Sequence, residues 1–173
     1  LYGKVNPSGK LPITIPRHVG QIPIYYYHKP SQYSHAFIDG VKEPLYDFGY
    51  GLSYTRFRYN ELNCPKELNY GEPLQVNVTV ENTGEMAGEE VVQLYLRDDF
   101  GSTTRPVKLL VGFQRIQLEK GEKKTVTFSL DKKVFGYYNS TGEYIFEPGS
   151  FTLMVGGNSH GKDQIFQKVT VMK

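Results

Sequence analysis

Hydrophobic and polar residues alternate in short runs along the chain from about residue 54 onward. In the clearest run, at 74–80, aliphatic residues occupy every second position and polar residues lie between them. Alternation with a period of two predicts an antiparallel strand with one face in the core. The runs at 124–130, 150–157 and 165–171 predict three more strands. The residues predicted to face inward in the first three of these four runs are Leu74, Val76, Val78, Val80, Val126, Phe128, Leu130, Phe151, Leu153 and Val155.

Two other runs depart from simple alternation. Residues 90–98 are more continuously apolar, which is typical of a central strand. Residues 107–118 alternate in one phase up to residue 113 and resume in another phase at residue 116. This slip near Gln114 and Arg115 predicts a β-bulge or a bend there. The alternation passes through Leu109, Val111 and Phe113 and resumes at Ile116 and Leu118, which places these residues on the inward face.

Turn-forming residues separate these runs. Gly, Asn and Pro recur at 82–89, 119–123, 139–143, 147–150 and 156–162, where the backbone needs a positive or a fixed φ. No window of a dozen residues shows the 3.6-residue period of an amphipathic helix. About seven short strands at this spacing predict an all-β sandwich of immunoglobulin or fibronectin type III character.

Residues 1–45 have a different character from the rest. They hold six of the ten prolines, and proline prevents both a long regular helix and an inner strand. Only the stretches 10–15 and 22–28 look like strands, and each contains a proline. We therefore predict an extended proline-rich arm that lies against another folded body.

Composition and charge narrow the partners. The 173 residues are 39% hydrophobic and 22% charged, and 20 basic against 18 acidic residues leave a net charge of +2. The signs are interspersed, which argues against nucleic acid as a partner. The apolar runs are too short to cross a bilayer, which argues against a membrane. A single cysteine, Cys64, excludes an internal disulfide, and the start shows no signal peptide and no Met, as expected for part of a longer polypeptide.

The sequence shows no catalytic, cofactor-binding or metal-binding motif. No nucleophile is accompanied by a base and an orienting group at a known spacing, and no histidine lies three or four residues from another. The glycine-rich stretch 156–161 is not followed by a helix and is interpreted as a turn. Asn77 and Asn139 lie in N-x-[ST] sequons, and their glycosylation remains open. We therefore assign no catalytic residue and no cofactor.

One stretch, YDFGYGLSYTRFRY at 46–59, is unusually aromatic. Exposed rings could stack on sugars, whereas rings wedged between two bodies would form an interdomain anchor. Aromatic residues change phase around the glycines, as in a chain that passes from one body to the next, so we favour the anchor. The predicted anchor residues are Tyr46, Phe48, Tyr50, Tyr54, Phe57 and Tyr59, with Tyr54 opening the first strand of the sandwich.

The order of several segments resembles the C-terminal end of glycoside hydrolase family 3 enzymes such as β-glucosidases and β-xylosidases. The most specific segments read GYGLSYT and NTGEMAGEEVVQLY. The resemblance implies that residues 1–45 are the tail of a preceding α/β sandwich domain with its linker, and that 46–173 form a fibronectin type III-like domain. The family's nucleophile and acid/base residue belong to regions that precede this stretch.

The resemblance implies a non-catalytic part of a retaining, exo-acting β-glycosidase that packs on the catalytic domains of the same polypeptide. A periplasmic or secreted location is expected for the parent, and a contact with a second copy is an open possibility. The alternative is a stand-alone carbohydrate-binding or adhesion module that uses exposed aromatic rings. Direct carbohydrate binding therefore stays open.

Overall fold

The computed structural model describes residues 3–30 and 41–173, and its regular structure there is almost entirely β. Ten strands, three of them only two or three residues long, are joined by turns and by three 3₁₀ turns at Val19–Gln21, Lys132–Val134 and Gly161–Asp163. The strands are β1 (Phe57–Asn63), β2 (Glu67–Asn69), β3 (Leu74–Asn82), β4 (Gly88–Asp98), β5 (Leu109–Leu118), β6 (Lys123–Leu130), β7 (Tyr137–Tyr138), β8 (Tyr144–Ile145), β9 (Gly149–Gly156) and β10 (Ile165–Met172).

Two sheets form a sandwich. One has three strands in the order β1-β3-β6, and the other has five in the order β2-β10-β9-β4-β5. All pairs are antiparallel except β2 with β10, and β7 and β8 form a separate short hairpin. Side chains from both sheets meet in one hydrophobic core. The all-β sandwich predicted from the spacing of the runs is thus confirmed.

The alternating runs pack as predicted. The four aliphatic residues of β3 are fully buried, and the inward residues of β6 and β9 are at most 5% exposed. The run at 90–98 is confirmed as a central strand, because β4 lies between β5 and β9. Residues 151–156 of β9 are buried without alternation, since β9 is flanked by β10 and β4. Burial of this apolar surface is the main stabilising contribution.

The predicted phase slip in β5 was placed three residues too late. In the pairing with β4, Leu94 lies opposite Gly112 and the next residue, Tyr95, lies opposite Leu110, so the extra residue is Val111. Gly112 therefore faces the core, where the Phe128 ring lies within 3.0 Å of the position a Cβ atom would take. Phe113 consequently faces solvent and is 67% exposed, contrary to the predicted inward position.

Other strand predictions were wrong at their ends. The first strand begins at Phe57 and not at Tyr54. The stretches 10–15 and 22–28 form no strand in the structure, where a single bridge joins Ile15 to Tyr46. The short strands β2, β7 and β8 were not predicted, because two or three residues are too few to show a period.

Residues 3–30 hold one 3₁₀ turn and otherwise follow an irregular course. Whether this segment is an extended arm against another body stays a prediction, and residues 31–40 of it lie outside the described chain. No helix among the described residues is long and apolar enough to cross a bilayer.

The position of the bulge in β5 can be tested by comparing a buried phenylalanine, Phe151, with the exposed Phe113. Phe151 is 1% exposed, and Phe151→Ala should lower the free energy of unfolding by about 3–5 kcal/mol, because it leaves a cavity in the core. Phe113→Ala should change it by less than about 0.5 kcal/mol, because that ring is already in solvent. Urea unfolding followed by circular dichroism measures both. A large loss for Phe113→Ala would show that the predicted inward phase was right after all.

Candidate interdomain junction

The six predicted anchor residues do not form a single cluster. Phe57 and Tyr59 lie in β1 and pack against the core from its edge. Tyr46 and Tyr50 stack on each other with ring centroids 4.8 Å apart. Phe48 is partly buried, and Tyr54 is 55% exposed. None of the six is fully buried, and their role as an interdomain anchor stays a prediction.

Phe48 packs against a ring that the sequence did not single out. Tyr26 stacks on Phe48 at 4.3 Å and meets Tyr95 edge-on at 5.8 Å, so that Tyr95 on β4 is fully buried. The Tyr26 hydroxyl also accepts a hydrogen bond from the backbone of Leu110 at 3.4 Å. The segment 22–28, predicted to be strand-like, thus delivers one tyrosine to the outer face of the five-stranded sheet.

Backbone hydrogen bonds join the N-terminal segment to the aromatic stretch. Leu11 donates to the carbonyl of Tyr50 and accepts from Gly49, both at 2.8 Å. Ile15 donates to Tyr46 at 2.9 Å and accepts from Leu45 at 2.9 Å. These bonds satisfy polar groups that have no partner in regular secondary structure.

The two glycines of the stretch GYG permit close approach. Gly49 has φ +80°, and a Cβ atom there would fall 2.4 Å from the Gln93 side chain. A Cβ atom at Gly51 would fall 2.4 Å from the carbonyl oxygen of Gly9. Larger residues would therefore separate the aromatic stretch from both the sandwich and the N-terminal segment.

A buried carboxylate forms the centre of the junction. Glu90 on β4 is 5% exposed, and its Oε1 atom accepts from Lys10 Nζ and from the Tyr59 hydroxyl, both at 3.0 Å. Burial raises the pKa of Glu90, while Lys10 and Tyr59 act against that shift. Burial and the nearby Glu90 raise the pKa of Tyr59 well above its usual range. The three side chains thus link the N-terminal segment, β1 and β4.

Asn82 is a second buried polar residue whose side chain connects several segments of the junction. Its Oδ1 atom accepts from the Thr55 hydroxyl at 2.6 Å and from the backbone of Gly84 at 3.1 Å. Its amide donates to the carbonyls of Met86 at 2.9 Å and Leu118 at 3.1 Å. The segments GYGLSYT and NTGEMAGEE therefore meet at one carboxamide, which uses both its oxygen and its nitrogen.

The loop 156–164 also contacts the aromatic stretch. Ser159 donates its backbone N–H to the carbonyl of Phe48 at 2.8 Å, and His160 Nδ1 lies 3.1 Å from an Asp47 carboxylate oxygen. Lys108 donates to the carbonyl of Ser159 at 2.7 Å, and burial lowers its pKa. The glycine-rich stretch 156–161 thus holds residues 47–48 in place through these two contacts.

The chemistry of the junction is that of a structural contact. Its carboxylates face basic side chains or hydroxyl groups, as Glu90 does with Lys10. Among the residues that the structure describes, no group of three or more His, Cys, Asp and Glu side chains could hold a metal ion. Cys64 is buried, and burial raises the pKa of its thiol to about 11, which disfavours the reactive thiolate.

Sequence reasoning missed the polar centre of the junction. Glu90, Lys10 and Asn82 follow no period. The fold alone brings residues 10, 59 and 90 into contact, and it alone brings Asn82 against Thr55. The available signal was the pair of motifs GYGLSYT and NTGEMAGEE, whose glycines allow close contacts. Their mutual contact could not be read from either one alone.

The fold and the junction identify the class of protein. It is a fibronectin type III-like β-sandwich with an N-terminal segment bound along one side. The sequence model of the fibronectin type III-like domain matches residues 90–159, and that of the glycosyl hydrolase family 3 C-terminal domain matches residues 1–54. The chain belongs to glycoside hydrolase family 3 and corresponds to its C-terminal region.

Relatives of this chain are much longer proteins. A periplasmic β-glucosidase of Salmonella typhimurium is 44% identical over 92% of this chain, and a putative β-xylosidase of Formosa agariphila is 41% identical over 92%. The chain spans 22% and 21% of their respective lengths.

Solved structures likewise match nearly all of this chain, although this chain spans only a small part of each of them. A β-glucosidase from Erythrobacter marinus matches 99% of this chain with a TM-score of 0.93 and 42% identity, and the match spans 22% of that protein. A β-glucosidase from Listeria innocua, solved with glucose, matches 97% with a TM-score of 0.89 and 43% identity, spanning 25% of that protein.

The space around Glu90 generates a test with two glycines. A Cβ atom at Gly157 would fall 2.5 Å from Glu90 Oε1, whereas one at Gly149 would meet nothing within 4 Å. Gly157→Ala should separate Glu90 from Lys10. The free energy of unfolding should fall by about 3 kcal/mol, because a buried charge loses its partner. Gly149→Ala should change stability by less than about 0.5 kcal/mol. Urea unfolding gives both values, and equal midpoints for the two variants would exclude a tightly filled centre at Glu90.

Proposed function

We propose that this chain is a non-catalytic part of a retaining, exo-acting β-glycosidase of the β-glucosidase type. Its role is to pack on the catalytic domains of the same polypeptide and to stabilise them. Support comes from the family membership, from relatives that are four to five times longer, and from a junction that joins segments without presenting reactive groups. The parent would cleave the glycosidic bond through a covalent intermediate, with its two catalytic carboxyl groups supplied by other domains.

The observation that carries the proposal is the distribution of exposed hydrophobic side chains. Ten of the seventeen large ones among the described residues lie between residues 5 and 54, and the longer stretch 55–173 holds the other seven. A stretch of chain that exposes many apolar side chains is expected to contact another protein body. The ten are Val5, Ile13, Val19, Ile22, Tyr25, Tyr27, Leu45, Tyr46, Leu52 and Tyr54.

We propose the domain division at residues 45 and 46. The segment 1–45 would then be the tail of the preceding α/β sandwich domain with its linker, and 46–173 the fibronectin type III-like domain. The hydrogen bonds of Leu11 and Ile15 to the aromatic stretch would then connect the tail of the preceding domain to the start of the sandwich. The predicted anchor residues would fill the seam between the two bodies.

A periplasmic or secreted parent agrees with the periplasmic β-glucosidase of Salmonella typhimurium, which is 44% identical. Cys64 is free and buried and forms no disulfide, so the fold does not require either an oxidising or a reducing compartment.

The test removes apolar side chains from the proposed docking surface in the full-length parent. Ile13 and Tyr54 are 58% and 55% exposed, and the double variant Ile13→Ser/Tyr54→Ser should inactivate several degrees lower, because the docked domain loses two buried apolar contacts. Residual hydrolysis of an aryl β-glucoside after heating gives the inactivation temperature.

The matched control is Phe113→Ser/Phe166→Ser. These rings are 67% and 54% exposed on the sandwich, outside the proposed surface, and the inactivation temperature should stay that of the wild type. Equal inactivation temperatures for the two double variants would contradict the proposed docking role.

A further inference from the structure

A groove of about 670 Å³ runs along the edge of the junction. One wall comes from Lys10 and residues 51–53 and 55–59, and the other comes from residues 157–158 and 162–165. Glu90 lies at its base, already paired with Lys10 and Tyr59. The groove is open to solvent, so it suits a segment of polypeptide better than a small enclosed ligand.

The groove carries an excess of positive charge. Four cationic side chains line it against the two acidic ones of Glu90 and Asp163. Three of the cations, Arg56, Arg58 and Lys162, are exposed, and no carboxylate among the residues the structure describes lies within ion-pair distance of them. Only Lys10 is paired inside the groove. The unpaired cations favour an acidic occupant.

Two neighbouring acids do not supply that occupant. Glu81 lies opposite Arg58 in the pairing of β1 with β3, but its ion pair, at 3.7 Å, is with Lys123. Asp163 accepts from the Asn158 amide at 3.3 Å, on the same wall as Lys162. The positive charge of the groove is therefore left for a group from outside the described residues.

An apolar rim accompanies the charge. Leu52 lines the groove and is 68% exposed, and the Phe57 side chain beside it is only partly buried. A hydrophobic rim next to unpaired cations is the combination found at protein contacts, where apolar anchors give affinity and charges fix the orientation.

The proposed parent holds such a partner within reach. In the proposed parent, the catalytic part and the groove belong to one polypeptide. Covalent attachment gives a high effective concentration, so that modest contacts suffice for docking. A separate partner would need a larger interface for the same occupancy.

We propose that this groove receives an acidic segment of the catalytic part of the same polypeptide, with its carboxylates on Arg56, Arg58 and Lys162. This inference rests on the proposed function and adds to it the chemistry of one contact. Leu52 belongs to both the exposed apolar set and the groove, but Ile13→Ser/Tyr54→Ser changes no charged residue of the groove, so the two proposals can fail separately.

The experiment is zero-length cross-linking of the full-length parent with a carbodiimide, followed by peptide mass spectrometry. The reagent activates a carboxyl group, and a lysine amine in contact with it then forms an amide with loss of water overall. We expect a cross-link from Lys162 to an Asp or Glu outside residues 1–173, in material with the mass of one polypeptide. The exposed ion pair of Lys120 with Glu85 serves as the internal positive control.

Variants make the result specific. Arg56→Glu/Arg58→Glu should lower the yield at Lys162 by about ten-fold, because two attractive charges become repulsive. Lys132→Glu/Lys133→Glu changes the charge equally at exposed positions outside the groove and should leave the yield unchanged. Lys162→Arg keeps the charge but should abolish the cross-link, since guanidinium does not form the amide.

Three results would overturn the inference: Lys162 joined only to acids within residues 1–173, Lys162 joined to a second copy in material of twice the mass, or no product at Lys162 while Lys120 and Glu85 are joined. If Ile13→Ser/Tyr54→Ser still lowers the inactivation temperature, the proposed function stands and only the groove is assigned wrongly. If that variant is also silent, the proposed function fails as well.

Discussion

The buried carboxylate of Glu90 is the constraint on which the junction depends. A charge with this little access to water is stable only when paired and hydrogen-bonded, and its partners are Lys10 and Tyr59. Lys10 belongs to the N-terminal segment, so the cation that pairs with Glu90 comes from outside the strands of the sandwich. Gly157 leaves the space in which the three groups meet. An irregular, proline-rich segment thereby becomes part of the folded unit.

The same requirement extends outward from Glu90. A segment without regular secondary structure must find partners for its backbone groups, and Leu11, Ile15 and Phe48 find them across the junction. The side chain of Asn82 satisfies further polar groups, from Thr55, Gly84, Met86 and Leu118, through four hydrogen bonds. Polar satisfaction fixes the course of the chain here, whereas apolar burial fixes the strands of the sandwich.

This division explains how much the sequence could predict. The alternation at 74–80 and 124–130 is a local signal, and both strands followed it. The bulge at Val111 places Gly112 against the Phe128 ring of the opposite sheet, a contact that local phase does not record, and the phase placed the slip three residues too late. Lys10, Asn82 and Glu90 form contacts between residues 27 to 80 positions apart, which no period records. The resemblance pointed to their motifs without showing that they meet.

The central claim is that the N-terminal segment and the sandwich form one cooperative unit. Native-state hydrogen exchange of the chain tests it at the amides of Leu11, Gly49 and Ser159, whose bonds cross the junction. Their opening free energies should equal those of core amides such as Val78 and Leu153. Exchange of the three junction amides near the rate of an unstructured chain, with the core still protected, would contradict the claim.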